Sequence, residues 1–210
     1  MTKVFIADDH MLIREGLKKI LKPEPDITIV GETADPLTIQ TFLENNEVDI
    51  LILDINMPGK NGLDVLKDIK ITNPDVKVLI LSMSPEEHYA KRAYKAGASG
   101  YISKDSVSEE LVLAIRKVAV GRKYVSPTFA ELLAADVDPG SKKSENGLLS
   151  DREFQVLVLL AKGKSQIDIG EELALSPSTV NTYRSRILEK LNLKSNAEMI
   201  YYAVQNKIID

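Results

Sequence analysis

The strongest constraint in this sequence is a repeated switch between two periodicities. Five short apolar runs lie at residues 3–8, 27–31, 49–54, 76–82 and 100–103. Between them stand stretches with helical spacing of apolar residues, at about 10–22, 36–46, 62–72 and 85–97, and a fifth follows at 107–120. Short apolar runs bounded by turn signals read as buried strands, and strands that alternate with helices read as a parallel sheet. Right-handed crossovers then place helices on both faces. The expected fold is an α/β doubly wound five-stranded parallel sheet. Ser84-Pro85-Glu86-Glu87 supplies an N-cap, a proline at the first helical position and a capping-box glutamate. Ser106-x-x-Glu109 is a second such box, and Gly97 and Gly121 stand where helix C-caps are expected.

After Gly121 the pattern changes. Pro127 to Ala135 is expected to add one short helix, and Asp136 to Gly147 has almost no apolar residue, which is linker composition. From Leu148 only helical patterns remain. Ser150-x-x-Glu153 opens the first and Gly163 closes it, Ser165 caps the second, Ser176-Pro177 opens the third, and Ser195-x-x-Glu198 opens the fourth. The two helices joined by Leu175-Ser176 suggest a helix-turn-helix. The expected organisation is an α/β domain at 1–121, a linker with a short helix at 122–147, and a small all-α four-helix domain at 148–210.

The ends of the apolar runs carry the chemistry. Val4 to Ala7 runs into Asp8-Asp9, Ile50 to Leu53 into Asp54, and Gly100 to Ser103 into Lys104, while Ser82 ends the fourth run. In an open α/β sheet, ligands bind in the crevice at the carboxyl ends of the strands. Any one of these residues is ordinary turn chemistry. Acids at ends one and three, a hydroxyl at end four and a lysine at end five form a joint pattern suited to a hard cation and a phosphoryl group. Three close carboxylates need a cation to stay ionised together, and Mg2+ takes oxygen ligands. Lys104 can bind a phosphoryl oxygen as a point charge. His10 and His88 are the only histidines, so a histidine-based metal site is not expected. His10 reads as an exposed residue at the first helix start. Met57-Pro58-Gly59 reads as a loop shaper.

These residues resemble a known family. Asp8-Asp9, Asp54-Ile55-Asn56-Met57-Pro58-Gly59-x-x-Gly62, Ser82 and Gly100-Tyr101-Ile102-Ser103-Lys104 look like the receiver domain of bacterial response regulators, over about residues 2–121. The resemblance implies a flavodoxin-like receiver with Asp54 as phosphoacceptor, supplied by a sensor histidine kinase. It implies Mg2+ held by Asp9, Asp54 and the backbone carbonyl of Asn56, with Asp8 acting through water. It also implies that Ser82 and Lys104 bind phosphoryl oxygens and that Tyr101 is the switch aromatic, turning inward once phosphate is in place. Serine replaces the commoner threonine at position 82, and the hydroxyl is retained.

The formal net charge is −4, which alone argues against a nucleic-acid binder. Its distribution argues otherwise. From Leu148 on, eight bases balance eight acids, and the stretch from Arg184 to Lys194 holds four bases and one acid. A local basic patch can bind phosphates without a basic total. In the helix opened by Ser176, apolar Val180, Tyr183, Ile187 and Leu191 share one face, and the opposite arc holds Ser178, Asn181, Thr182, Ser185, Arg186 and Glu189. Arg184 flanks the core side. Small polar residues with arginines suit a helix in a DNA major groove; the alternative is a plain solvated face.

Leu149 to Glu153, Leu160 to Ser165, Ile169 to Leu173 and Ser176 to Tyr183 resemble the LuxR/NarL-type helix-turn-helix, over about residues 148–208. With the receiver before it, the chain resembles a NarL/FixJ-type response regulator. The resemblance implies DNA contacts from Ser178, Thr179, Asn181, Thr182, Arg184, Ser185, Arg186 and Lys190. It implies double-stranded DNA as partner and a homodimer when phosphorylated. Met199, Tyr202 and Ala203 are candidates either for the dimer contact or for the core. Three positions depart from the pattern. Gly170 stands where alanine is usual, with an expected loss of up to about 1 kcal/mol in that helix. Ile167 replaces a polar residue and reads as a contact point for the receiver, and Asn181 replaces a common lysine.

The expected protein is a phosphorylation-controlled transcription factor whose only catalysis is its own phosphoryl transfer and dephosphorylation. The rivals are a Mg-dependent phosphotransferase or phosphatase and a phosphorylation-independent regulator. Enzymes of the first kind often carry Asp-x-Asp after a strand, and here Asp54 is followed by Ile55 and Asn56. With no cysteine, no signal-peptide pattern at Met1-Thr2-Lys3-Val4 and no apolar run long enough to span a bilayer, the expected location is cytoplasmic, with no membrane partner.

Overall fold

A computed structural model describes residues 1–83, 86–136, 148–206 and 208–209. The Ser84-Pro85 cap and residues 137–147 of the expected linker lie outside the described residues. The chain divides into two compact units, Met1–Val137 and Asp138–Asp210.

The first unit holds five strands, β1 (Thr2–Ala7), β2 (Ile27–Thr33), β3 (Ile50–Asp54), β4 (Lys77–Ser82) and β5 (Gly100–Ser103). They form one parallel sheet in the order β2-β1-β3-β4-β5. The order reverses between β1 and β3, and such a switch point opens a crevice at the carboxyl ends. The helices are α1 (Met11–Leu21), α2 (Thr38–Asn45), α3 (Gly62–Thr72), α4 (Glu86–Lys95), α5 (Val107–Ala119) and α6 (Pro127–Asp136).

Alternation along the strands divides the core in two. Val4, Ile6, Ile50, Ile52, Leu79 and Leu81 pack with Leu17 and Leu21 of α1 and with Leu111, Ala114, Ile115 and Val118 of α5. On the neighbouring positions, Phe5 stacks on Phe42 of α2 with ring centroids 3.9 Å apart. All five residues of β3 are buried, as a central parallel strand covered on both faces requires.

One expectation needs correction. The Ser106 capping box does not form: no side-chain cap bond is made, and the Ser106 hydroxyl donates instead to the Ser103 carbonyl at 3.3 Å. The short helix expected at Pro127 to Ala135 is present as α6, and residues 124–129 before and within it are packed on the first unit. Tyr124 donates its backbone N–H to Ser99 O at 2.8 Å, bridges in parallel to Gly100 and is 2% exposed. Phe129 of α6 is buried and stacks on Tyr94 of α4, centroids 5.1 Å apart. The Tyr94 hydroxyl donates to Tyr124 O, and Ser126 Oγ to the Glu86 carboxylate. These partners are distant in sequence, so local composition carries no sign of them.

The second unit has four helices, α7 (Asp151–Ala161), α8 (Gln166–Leu173), α9 (Pro177–Lys190) and α10 (Asn196–Gln205). Capping boxes start α7 from Ser150 and α8 from Ser165, while Ser176 and Ser195 cap α9 and α10. Phe154, Leu157, Ile169, Leu173, Val180, Ile187, Met199, Ala203 and Ile208 are buried. Met199 and Ala203 are therefore core residues. The large exposed apolar residues of α10 are Ile200, Tyr201 and Val204. Gly170 does not simply weaken α8: a Cβ there would lie 2.6 Å from the Leu175 carbonyl oxygen. Its absence lets the α8–α9 turn close, with Leu175 N–H donating to Gly170 O at 2.8 Å.

Candidate functional site

Strand register assembles the first site. Ala7 pairs with Leu53, so Asp8 and Asp54 follow at one level; Asp54 pairs with Leu81, just before Ser82; Ser82 pairs with Ser103, just before Lys104. Lys104 Nζ lies 2.9 Å from Asp54 Oδ2 and 2.7 Å from Asp8 Oδ2. All three side chains are buried. Burial pushes the Asp54 carboxyl above the ordinary carboxylate range, the Asp8 charge adds to this, and Lys104 opposes it. Burial opposes the Lys104 charge, yet Asp54 and Asp8 together hold its pKa above the ordinary lysine value.

The backbone around these groups is tied down. His10 N–H donates to Asp8 Oδ1 at 2.8 Å, and Arg14 Nη1 donates to the Asp8 carbonyl at 2.7 Å. Asn56 N–H donates to Asp54 Oδ1 at 3.2 Å. The loop after β3 closes through Gly62 N–H onto Ile55 O at 2.9 Å, with Ile55 and Met57 buried under it. Position 62 admits only glycine, because a Cβ there would lie 2.2 Å from the Asp54 carbonyl oxygen. Arg14 was not singled out from the sequence. Its signal is the spacing: four residues after His10 it returns to the same face of α1, toward the strand end.

The acids fit a hard cation. Asp8, Asp9, His10 and Asp54 each offer a ligand atom, and these atoms lie within 4.8 Å of one another. Asp9 Oδ1 is a buried atom, and the group nearest it is the His10 ring, whose Nδ1 lies 2.8 Å away. Three converging carboxylates make an oxygen donor set that suits an ion such as magnesium. Tyr101 lies inside, 0% exposed, sharing a hydrogen bond with the buried Ser82 hydroxyl. Burial raises its phenol pKa.

In the second unit, the Ser176 hydroxyl accepts from Thr179 N–H at 3.1 Å and starts α9. Ser178, Asn181, Thr182, Ser185 and Arg186 are exposed along it, and Thr179 and Arg184 are half-buried. Two of the expected contacts are tied to the scaffold. Arg184 Nε donates to Asn196 Oδ1 at 2.6 Å, and Lys190 Nζ donates to Glu153 Oε2 at 2.7 Å. Burial opposes the Glu153 charge, but Lys190 and Ser150 hold its carboxyl below the usual range. Buried Arg152 donates to Leu173 O at 2.7 Å and locks α7 to the end of α8. The exposed arc is a small polar surface with one arginine, Arg186, toward its C-terminal end. Among the described residues no helix is long and apolar enough to cross a membrane.

Comparison with known proteins bears on both sites. Residues 4–116 match the response regulator receiver domain, and residues 147–203 match the bacterial regulatory proteins of the luxR family. Response regulator UvrY of Escherichia coli (strain K12) is 35% identical over 207 residues, 98% of this chain and 95% of that protein. Oxygen regulatory protein NreC of Staphylococcus epidermidis is 38% identical over 216 residues, 99% of each. Among solved structures, the RcsB response regulator of Salmonella typhimurium matches with TM-score 0.64 and 25% identity, over 97% of this chain and 100% of that one. A structure of two RcsB dimers bound to two parallel DNAs matches with TM-score 0.61 and 25% identity, over 97% and 98%.

Proposed function

Because the chain belongs to the two-component response regulators of the NarL/FixJ type, a receiver domain followed by a LuxR-type helix-turn-helix, we propose that Asp54 is its phosphoacceptor and that phosphorylation controls DNA binding by α9. The observation that carries this reading is the buried Lys104 ammonium held against Asp54 and Asp8 at the carboxyl ends of the strands. A sensor histidine kinase supplies the phosphoryl group. Asp54 Oδ attacks phosphorus in line, the phosphohistidine P–N bond breaks, and the leaving imidazole takes the electron pair. Lys104 then exchanges a carboxylate partner for a phosphoryl oxygen. The Ser82 hydroxyl turns from Tyr101 to a second one. Asp9, Asp54 and the Asn56 carbonyl would hold Mg2+, with Asp8 nearby; when bound, the ion would offset the charge of the carboxylates and the phosphoryl group. The chain's own catalysis is confined to this transfer and to dephosphorylation, in which water takes the phosphoryl group and leaves the Asp54 carboxylate and inorganic phosphate.

Loss of the Ser82 partner frees the Tyr101 hydroxyl inside the sheet, so charge placed on Asp54 reaches β5 and α4. The output is binding of double-stranded DNA in the cytoplasm as a homodimer, as RcsB dimers are solved on DNA. Ser178, Asn181, Thr182, Ser185 and Arg186 face the groove, while Arg184 and Lys190 brace α9. The dimer surface of α10 is Ile200, Tyr201 and Val204 rather than Met199 and Ala203.

The test has two arms. With a small phosphodonor and magnesium, the wild-type chain gains acid-labile phosphate and Asp54→Asn gains none; equal labelling of both removes the phosphoacceptor assignment. Footprints on genomic fragments show tighter binding by the phosphorylated protein. Equal affinity in the two states removes the switch, and unchanged affinity in Arg186→Ala moves the contact surface elsewhere.

A further inference from the structure

The first helix begins at a residue that does not cap it. His10 has extended backbone, φ −83° and ψ 107°, and its ring makes no cap hydrogen bond. Its backbone N–H is held by Asp8 Oδ1 at 2.8 Å, which fixes where the side chain departs. The ring then stands over the acids: Nδ1 is 2.8 Å from Asp9 Oδ1 and 3.4 Å from Asp8 Oδ1. The side chain is 61% exposed, so the ring closes the mouth of the crevice rather than its floor. The Asp9 oxygen that the ring approaches is itself a buried atom.

We propose that His10 is a nitrogen donor to the cation held by the acids at the strand ends, and that it makes this site favour transition-metal dications over magnesium. The proposal rests on the reading that Asp9 and Asp54 hold a cation. The geometry adds a fourth residue to that set, since the ligand atoms of Asp8, Asp9, His10 and Asp54 lie within 4.8 Å of one another. Chemistry assigns the consequence. Magnesium prefers oxygen ligands and keeps several of its waters, so an imidazole at the mouth offers it little. Imidazole binds zinc, copper, iron and nickel well, and a mixed carboxylate-imidazole set follows the order in which nickel exceeds manganese. A ring at the solvent side of the site takes one of the positions where magnesium would retain water.

The competing role for the ring is to orient Asp9 by a hydrogen bond without touching the ion. That role strengthens binding of every dication by a similar factor. The ratio of affinities therefore separates the two.

The experiment titrates the full chain with Mg2+ and with Ni2+ by calorimetry, in wild type, His10→Ala and the control His88→Ala. The expected result is that the ratio of Ni2+ to Mg2+ affinity falls at least about tenfold in His10→Ala and stays put in His88→Ala. A second readout is proton NMR with Co2+. The chain has two histidines, so the ring protons of His10 should show a large hyperfine shift while those of His88 do not. An unchanged ratio in His10→Ala, or an unshifted His10 ring, overturns the proposal. Wild-type protein that binds neither Mg2+ nor Ni2+ instead overturns the underlying cation site, and Asp9→Asn gives the appearance of that outcome.

Discussion

Lys104 and Asp54, fifty residues apart, meet at 2.9 Å with both side chains buried. Removing one partner of such a pair leaves charge without compensation, which is far costlier than replacing both. Lys104→Ala leaves both Asp54 and Asp8 unpaired. It is expected to destabilise the receiver unit by about 3 kcal/mol in chelator, measured by urea unfolding. Added magnesium should recover much of the loss, since the ion compensates the same carboxylates. A gap that magnesium leaves untouched would mean the acids do not share the cation.

The Phe129–Tyr94 stack makes α6 part of the receiver unit rather than of a loose linker. Phe129→Ala deletes a buried ring at an expected cost of about 3 kcal/mol. Hydrogen exchange should show the loss as faster exchange of α6 amides. Protection of α6 that survives the substitution would place its anchor elsewhere.

The turn before α9 holds Ala174 at φ 51°, ψ 48°, a left-handed conformation that penalises a Cβ. Ala174→Gly is expected to stabilise the helical unit by about 1 kcal/mol. In a unit of this size that raises the unfolding temperature by about 5 °C, as calorimetry would read. The neighbouring Gly170→Ala should act the other way, because its Cβ meets the Leu175 carbonyl at 2.6 Å.

Arg116 grips Asp26 with two bonds, Nε to Oδ2 at 2.9 Å and Nη2 to Oδ1 at 2.8 Å. This holds the Asp26 carboxyl well below its ordinary value of 3.8, at about 2. A depressed acid pKa stabilises the fold above the unfolded value, and the stabilisation disappears as pH falls through the folded value. The urea midpoint of wild type should therefore exceed that of Arg116→Ala at neutral pH, and the two should converge as pH falls from about 4 to about 2. A gap that persists at the acid end would show that Arg116 acts by packing alone. The pair is exposed, so salt should narrow the gap at neutral pH as well.

The sequence by itself determined the α/β sheet, the four-helix unit and the residues at the strand ends. Periodicity and capping are local, so Asp8, Asp54, Ser82 and Lys104 could be placed at the ends of their elements before any contact was known. The α9 face was readable for the same reason: Val180 and Ile187 share a helical spacing and are both buried. Tertiary structure alone decided what depends on pairing between distant segments. It put Tyr124 beside Gly100, turned Tyr101 inward onto Ser82, drew Lys190 to Glu153, and buried Met199 and Ala203. Each of these trades solvent contact for a partner remote in sequence, and only the folded chain fixes which partner lies within reach.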